Sequence, residues 1–319
     1  MSQGWLSSPF LLAGKRVWVA GHRGMVGSAL VRRLSHESCQ ILTATRDEID
    51  LRDQAAVSAW VCSNKPDVIV IAAALVGGIM ANSQNPAMFF YDNIMISTNI
   101  IHSAYKAGVE KLLFLGSSCI YPRDCEYPIK ENALLSGGLE PTNEAYALAK
   151  IGGLKMAQYY RAQYDGCDFI SAMPCNLYGV GDSYNESSSH VIPALIMKAH
   201  NAKVRGDASL TVWGSGSPLR EFLYVDDLAD GLVFLLQHYS GDSHVNIGSG
   251  KEVSIKELAE SICKIVGYDG DIVFDCSKPD GVCRKLMDNG FLHGAGWNRN
   301  ISLKDGLAKS YADYLKFCE

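Results

Sequence analysis

Through its first half the chain alternates short apolar runs with helix-patterned stretches, and no other feature restricts its fold so sharply. Arg16–Ala20 reads as a strand and Val26–Leu34 as a helix; Ile41–Thr45 is a second strand and Gln54–Cys62 a second helix. Pro66-Asp67 leads into "VIVIAA", Val68–Ala73, an apolar run without polar alternation. Met88–Ala107 is helical and closes at Gly108; Lys111–Leu115 (strand), Ala145–Tyr164 (helix) and Phe169–Met173 (strand) follow. Strands buried on both faces carry continuous apolar sequence, and repeated βα units build a parallel sheet with helices on both faces. Gly179–Leu219 is richer in Gly, Ser and Asn and fits a separate lobe. Phe222–Val225 and Val245–Ile247 read as strands rejoining the first domain, and Lys256–Val266 as an amphipathic helix of the second lobe.

Composition narrows the function. Hydrophobic residues are 48% of the 319 and charged ones 20%, which supports a sizeable core and argues against disorder. A net charge of −5 argues against a general nucleic-acid binder. The ten cysteines are scattered without CxxC pairs, and no export leader is recognisable, so reduced thiols in a cytoplasmic protein are expected. No metal-ligand spacing and no membrane-spanning apolar run is present, so neither a metal nor a membrane partner is expected.

"GHRGMVG", Gly21–Gly27, lies between the first strand and the first helix. Glycines there allow a tight turn and close approach of backbone to a pyrophosphate, while the helix N-terminus offers free N–H groups and a partial positive charge. Gly21, Arg23, Gly24, Met25, Val26 and Gly27 are therefore expected to hold a dinucleotide. The fold class expected is α/β: a Rossmann-type doubly wound parallel sheet with a smaller C-terminal substrate-binding lobe. Residues 1–178 with a return segment 222–248 would form the nucleotide domain, and 179–221 with 249–319 the lobe. An NAD site wants a carboxylate at the end of the second strand for the ribose 2′-OH. Here Thr45 and Arg46 stand there, which favours the 2′-phosphate of NADP, with Arg23 adding charge. Asp47 and Glu48 follow directly, and a solvated surface charge is the lesser alternative for Arg46. Asp50 and Leu51 fall where an adenine ring packs.

Tyr146 and Lys150, four apart on a helix, share one face. An ammonium beside a phenol favours phenolate and lowers its pKa, which suits proton exchange with a carbonyl oxygen. Upstream, "LGSSCIYP", Leu115–Pro122, puts Ser117, Ser118 and Cys119 at the end of a strand. Glycine turn, serine turn and Y-x-x-x-K in this order resemble the short-chain dehydrogenase/reductase superfamily, in its extended, sugar-nucleotide branch. "AGHRGMVGSA", "VGGIMAN", "LGSSCIYP", "LEPTNEAYALAK", "NLYG", "SSSHVIPAL", "VWGSGSPLREFLYVDD" and "SKPDGVCRKL" resemble, more narrowly, the GDP-L-fucose synthase family. These strings spread over nearly the whole chain.

That resemblance implies conversion of GDP-4-keto-6-deoxy-D-mannose to GDP-L-fucose: epimerisation at C3 and C5, then NADPH reduction of the C4 ketone. Removing a proton beside the C4 carbonyl leaves an enolate, and inversion needs acid/base groups on both faces of the sugar. By resemblance Cys119 is the base and His190 the acid; thiol and imidazole are both tunable toward neutrality. By residue type alone, Cys119 is as well read as a small buried hydrophobe and His190 as a helix cap. The family pattern further implies that Ser117 and Tyr146 hold the C4 oxygen and that Lys150 tunes Tyr146. It gives Leu115, Gly116, Ser117, Ser118, Tyr146, Lys150, Pro174, Asn176, Leu177 and His190 to the cofactor. Lys198, Trp213, Arg220 and Asp280 go to the GDP-sugar. Two residues depart from it: Lys198 stands where arginine is familiar and lacks its fork geometry, and Cys175 where threonine is familiar. A GDP-colitose synthase, acting on a 3,6-dideoxy sugar, is the alternative within the class. A non-catalytic NADP sensor is disfavoured by the presence of Ser117, Tyr146 and Lys150, and an epimerase or dehydratase that recycles NAD by Arg46. The resemblance also implies a homodimer in which the two long helices, Met88–Ala107 and Ala145–Tyr164, form a four-helix bundle with a partner's copies.

Overall fold

The structure is a computed structural model that describes residues 4–185, 189–278 and 280–318. Its strands are β1 (Arg16–Ala20), β2 (Gln40–Leu42), β3 (Val68–Ile71), β4 (Lys111–Leu115), β5 (Asp168–Pro174), β6 (Asn176–Tyr178), β7 (Ser209–Trp213), β8 (Leu219–Tyr224), β9 (Val245–Ile247), β10 (Glu252–Ser254), β11 (Asp271–Asp275) and β12 (Arg284–Lys285). Its α-helices are α1 (Met25–Leu34), α2 (Gln54–Asn64), α3 (Ile79–Gln84), α4 (Pro86–Ala107), α5 (Glu144–Gln163), α6 (Val191–Arg205), α7 (Val225–His238), α8 (Ile255–Val266), α9 (Gly290–Gly294) and α10 (Leu303–Cys318).

Six parallel strands form the main sheet in the order β2-β1-β3-β4-β5-β9. Every residue of β3 and β4 is buried, which is why those runs lack polar alternation. Even Lys111 is buried, its ammonium paired with Asp168 and donating to the Tyr239 carbonyl at 2.7 Å. The chain leaves β1 toward β2 and returns to β3 on the other side, so the direction of winding reverses at β1. Right-handed crossovers in opposite directions put helices on opposite faces. Accordingly α4 packs on α2 and α5, and α1 on α7. The crevice outside the strand C-termini at such a reversal is where α/β proteins bind ligands.

The strand read as Phe222–Val225 is Leu219–Tyr224; β8 pairs with β6, β10 and β12 rather than with the main sheet, while Leu223 and the adjoining Val225 pack into the main core. An apolar run signals burial but not which sheet buries it. The main sheet is regained through α7 and β9, and β9 lies beside β5. A second buried cluster, including Ile192, Ile196, Leu258, Ile262 and Tyr314, forms the core of the lobe. Within 249–319 the packing divides: Met287, Leu292 and Trp297 pack into the main core, while Leu307 and Tyr314 of α10 stay in the core of the lobe. Among the described residues no helix is long and apolar enough to cross a membrane.

Candidate active site

The glycine turn is shaped by close approach. Gly21 has φ +89°, and a Cβ there would sit 2.6 Å from the Ala73 nitrogen. A Cβ on Gly27 would sit 2.1 Å from the Gly21 carbonyl oxygen. The turn therefore folds back on the first turn of α1, whose N-cap, Gly24, supplies no side-chain cap. Its first N–H groups are left to face a ligand anion. Arg23 and Arg46 are both exposed. Glu48 accepts from the Thr45 N–H at 2.6 Å, and that bond, with charge from Arg23 and His22, holds its carboxyl below the usual range. The basic side chains of the turn thus lie beside the end of β2. Asp50 is held at about 2 by hydrogen bonds from Arg52, which also reaches Asp92.

At the end of β4, Leu115 and Gly116 are buried; a Cβ on Gly116 would lie 2.1 Å from the Met173 sulfur. Ser117 caps the 3₁₀ turn Ser118–Ile120, its Oγ accepting from the Cys119 N–H at 3.4 Å. Helix α5 packs on this turn and brings Tyr146 and Lys150 to it. Lys150 donates to the Leu115 carbonyl at 2.9 Å, and its ammonium lies 5.7 Å from the Tyr146 ring centroid. The expected lowering of the phenol does not occur. Burial pushes Tyr146 well above its ordinary value, Cys119 adds to this, and Ser117 only partly opposes it. The cleft floor penalises charge on the phenol, and the ammonium aims at a carbonyl. Burial also draws Lys150 down to about 8. In this state Tyr146 is a neutral proton donor.

Cys119 is buried, yet it lines a cavity with Tyr127, Glu140, Asn143, Arg284 and Lys285. Burial raises its thiol, while Lys285, Ser117 and Lys150 pull it down. His190 precedes α6 with extended backbone, and its side chain makes no cap hydrogen bond. Its side chain has exposed surface, but surrounding protein still lowers its pKa by desolvation. Pro174 ends β5, and Asn176 in β6 donates to the Glu221 carbonyl at 2.9 Å, with Leu177 next to it. Cys175 is buried between the two strands, its thiol pushed far up by burial.

In the lobe, Trp213 is 57% exposed at the end of β7, with the Lys198 ammonium 4.9 Å from its ring centroid. Lys198 also donates to the Thr211 carbonyl at 3.1 Å. Arg220 on β8 donates to the Leu219 carbonyl at 2.8 Å, and burial lowers its pKa. Asp280 accepts from Ser215 N–H at 2.9 Å and Oγ at 2.7 Å, pinning the turn that follows Trp213. Sequence reasoning missed Lys285. It lay in the string "SKPDGVCRKL", but a basic pair beside a cysteine reads as solvated surface until the fold turns it inward.

A glycine turn at the point where a parallel sheet reverses, with serine, tyrosine and lysine gathered at the end of β4 in the same sheet, defines a class. Residues 17–248 match the family model described as the NAD dependent epimerase/dehydratase family, and the chain belongs to that family. It is 55% identical over 306 residues to the GDP-L-fucose synthase of Sinorhizobium fredii, covering 96% of this chain and 97% of that one. The GDP-L-colitose synthase of Yersinia pseudotuberculosis is 37% identical over 301 residues, 94% of this chain and 98% of that one. A solved structure, a GDP-L-fucose synthetase from Naegleria fowleri bound to NADP, superposes with a TM-score of 0.90 at 29% identity, covering 98% of this chain and 96% of that one. Within the family, the chain is a member of the GDP-L-fucose synthases.

Proposed function

We propose that the protein converts GDP-4-keto-6-deoxy-D-mannose to GDP-L-fucose, inverting C3 and C5 and then reducing the C4 ketone. The observation that carries this reading is Cys119. A plain ketoreductase has no use for a thiol, yet Cys119 lies within the turn that Ser117 caps, and α5 with Tyr146 packs on that turn. The higher identity to the fucose synthase supports it over the 3,6-dideoxy alternative. The uncapped N–H groups at the start of α1, behind the tightly folded glycine turn, suit a pyrophosphate, and Arg23 and Arg46 suit the 2′-phosphate of NADP.

As thiolate, Cys119 takes the proton from C3 or C5, and the electron pair moves onto the C4 oxygen. Ser117 and neutral Tyr146 donate hydrogen bonds to that oxygen as its charge develops, where preorganised donors contribute most. His190 returns a proton to the opposite face of the sugar. NADPH, when bound, supplies hydride for C4. Tyr146 then gives its proton to the C4 oxygen, and Lys150 beside it offsets the charge left on the phenol. Lys198, Arg220, Trp213 and Asp280 would receive the GDP-sugar, the cations toward its diphosphate.

Incubation with the keto-sugar in D₂O, with and without NADPH, tests this by NMR. Deuterium at both carbons without NADPH, and GDP-L-fucose with it, are expected. NADPH oxidation without exchange would leave only a 4-ketoreductase. Exposed Phe90 and Tyr91 on α4 and Leu148 and Tyr159 on α5 support a homodimer through these helices, which a monomeric mass in sedimentation would refute. Ten free thiols suit a reducing cytoplasm.

A further inference from the structure

We propose that the ammonium of Lys285 stabilises the thiolate of Cys119, making Lys285 a positioning residue for the epimerisation. In what it says of turnover, this rests on the function proposed above.

Lys285 ends β12, in register with Arg220 on β8. It is mostly buried, and among the described residues its ammonium makes no hydrogen bond and no ion pair. Its neighbour Arg284, by contrast, is held by both oxygens of Glu252 at 2.8 Å. Holding an ammonium away from water without a carboxylate is costly unless some other anion uses it. Four groups act on Lys285: Cys119 in the turn after β4, Cys125 in the loop beyond, Cys175 after β5, and Arg220 on β8. Arg220 is a like charge and makes the site costlier. Of the three thiols only Cys119 lines the same cavity as Lys285. The influence is mutual. Lys285 is foremost among the groups that favour the Cys119 thiolate, ahead of Ser117 and Lys150, and Cys119 is the strongest support for the charge on Lys285.

The chemistry requires such a partner. Cys119 must lose its proton before it can take one from the sugar, and burial opposes that ionisation. Ser117 serves the C4 oxygen and Lys150 serves Tyr146, so both are committed elsewhere once substrate binds. Lys285 is free to remain with the sulfur while the electron pair from the C–H bond moves to the C4 oxygen.

The test reads thiolate formation directly. The pH dependence of iodoacetamide alkylation at Cys119 is followed by peptide mass spectrometry in the full-length protein, with exposed Cys62 as internal reference. Lys285→Gln and Lys285→Met should slow Cys119 alkylation near neutral pH by about tenfold or more, moving its midpoint up by about one unit. Lys285→Arg should restore most of the rate, and Cys62 should be unaffected. Solvent deuterium exchange into the keto-sugar should fall in step, with NADPH affinity held, which also shows that the variants are folded. An alkylation profile in Lys285→Gln that coincides with wild type would overturn the proposal. If Lys285→Met fails to fold, the comparison of Gln with Arg decides. Wild-type protein that alkylates normally but exchanges no deuterium would instead strike at the proposed substrate, while the alkylation profiles still judge the pairing of Lys285 with Cys119.

Discussion

Replacing Gly27 with alanine tests whether the cofactor turn is built by close packing. The new Cβ would lie 2.1 Å from the Gly21 carbonyl oxygen and 2.6 Å from its carbonyl carbon. Ordinary contact is nearer 3.5 Å, so the turn must open by roughly 1.4 Å. The obstacle is backbone, which cannot rotate aside as a side chain does. Overpacking of this kind costs about 3 kcal/mol, and the better helix propensity of alanine returns about 1. A net loss of about 2 kcal/mol corresponds to a fall of roughly 3 °C in Tm for a chain this long. The larger effect is on cofactor. Moving the turn displaces N–H groups aimed at the pyrophosphate, and one charge-assisted hydrogen bond carries about 1.5–3 kcal/mol. The Kd for NADPH should therefore rise about 10- to 100-fold. Thermal melts and NADPH fluorescence titration measure the two. Gly24→Ser is the control for stability: its Cβ meets nothing closer than 3.5 Å, and serine is a good N-cap, so Tm should hold. Wild-type Tm and wild-type Kd in Gly27→Ala would refute the argument.

Tyr146→Phe should lower kcat for ketone reduction by about 10²–10⁴ with NADPH affinity unchanged; near-normal turnover would remove Tyr146 as the proton donor. Arg46→Ala should weaken NADPH by about tenfold and leave NADH alone, whereas equal weakening would mean that Arg46 does not meet the 2′-phosphate. His244 is buried, and burial draws its pKa from 6.5 to about 4. As the pH falls below 6.5 the unfolded chain therefore binds this proton first, so stability drops between pH 6.5 and 4, by roughly 3 kcal/mol from this group. In urea titrations across that range His244→Gln should show a shallower acid slope; an unchanged slope would assign the loss to other groups.

Much of this was legible in sequence because it is local. The glycine turn needs only its own spacing and a strand before it, and the continuous apolar runs announce strands buried on both faces. What escaped was set by distance through the chain. Phe222–Val225 carried the same apolar signal as a main-sheet strand, but its partners, β6, β10 and β12, are fixed by how the lobe assembles. The Tyr146–Lys150 spacing revealed a shared face but not depth. Burial sets the phenol, opposed only by Ser117, while the ammonium aims at the Leu115 carbonyl. Lys285 had no local signal at all. It acquires meaning only when β12 lands beside β8 and faces a thiol 166 positions earlier in the chain.

The passage from β5 to β6 runs through a single residue, Cys175, so one extended stretch serves both sheets. This bears on any attempt to dissect the protein. A fragment ending at residue 178 would carry five of the six main strands but lack α7 and β9. It would strip the cover from buried Leu30, Leu34 and Met173, and leave the edge of β5 unpaired along Ala172–Pro174. Such an edge invites pairing with another chain. The remaining piece would begin without β6, the strand that anchors one side of β8. Neither half is a portable module, so exchange of substrate preference between relatives should be attempted by changing side chains at the cleft rather than by swapping lobes.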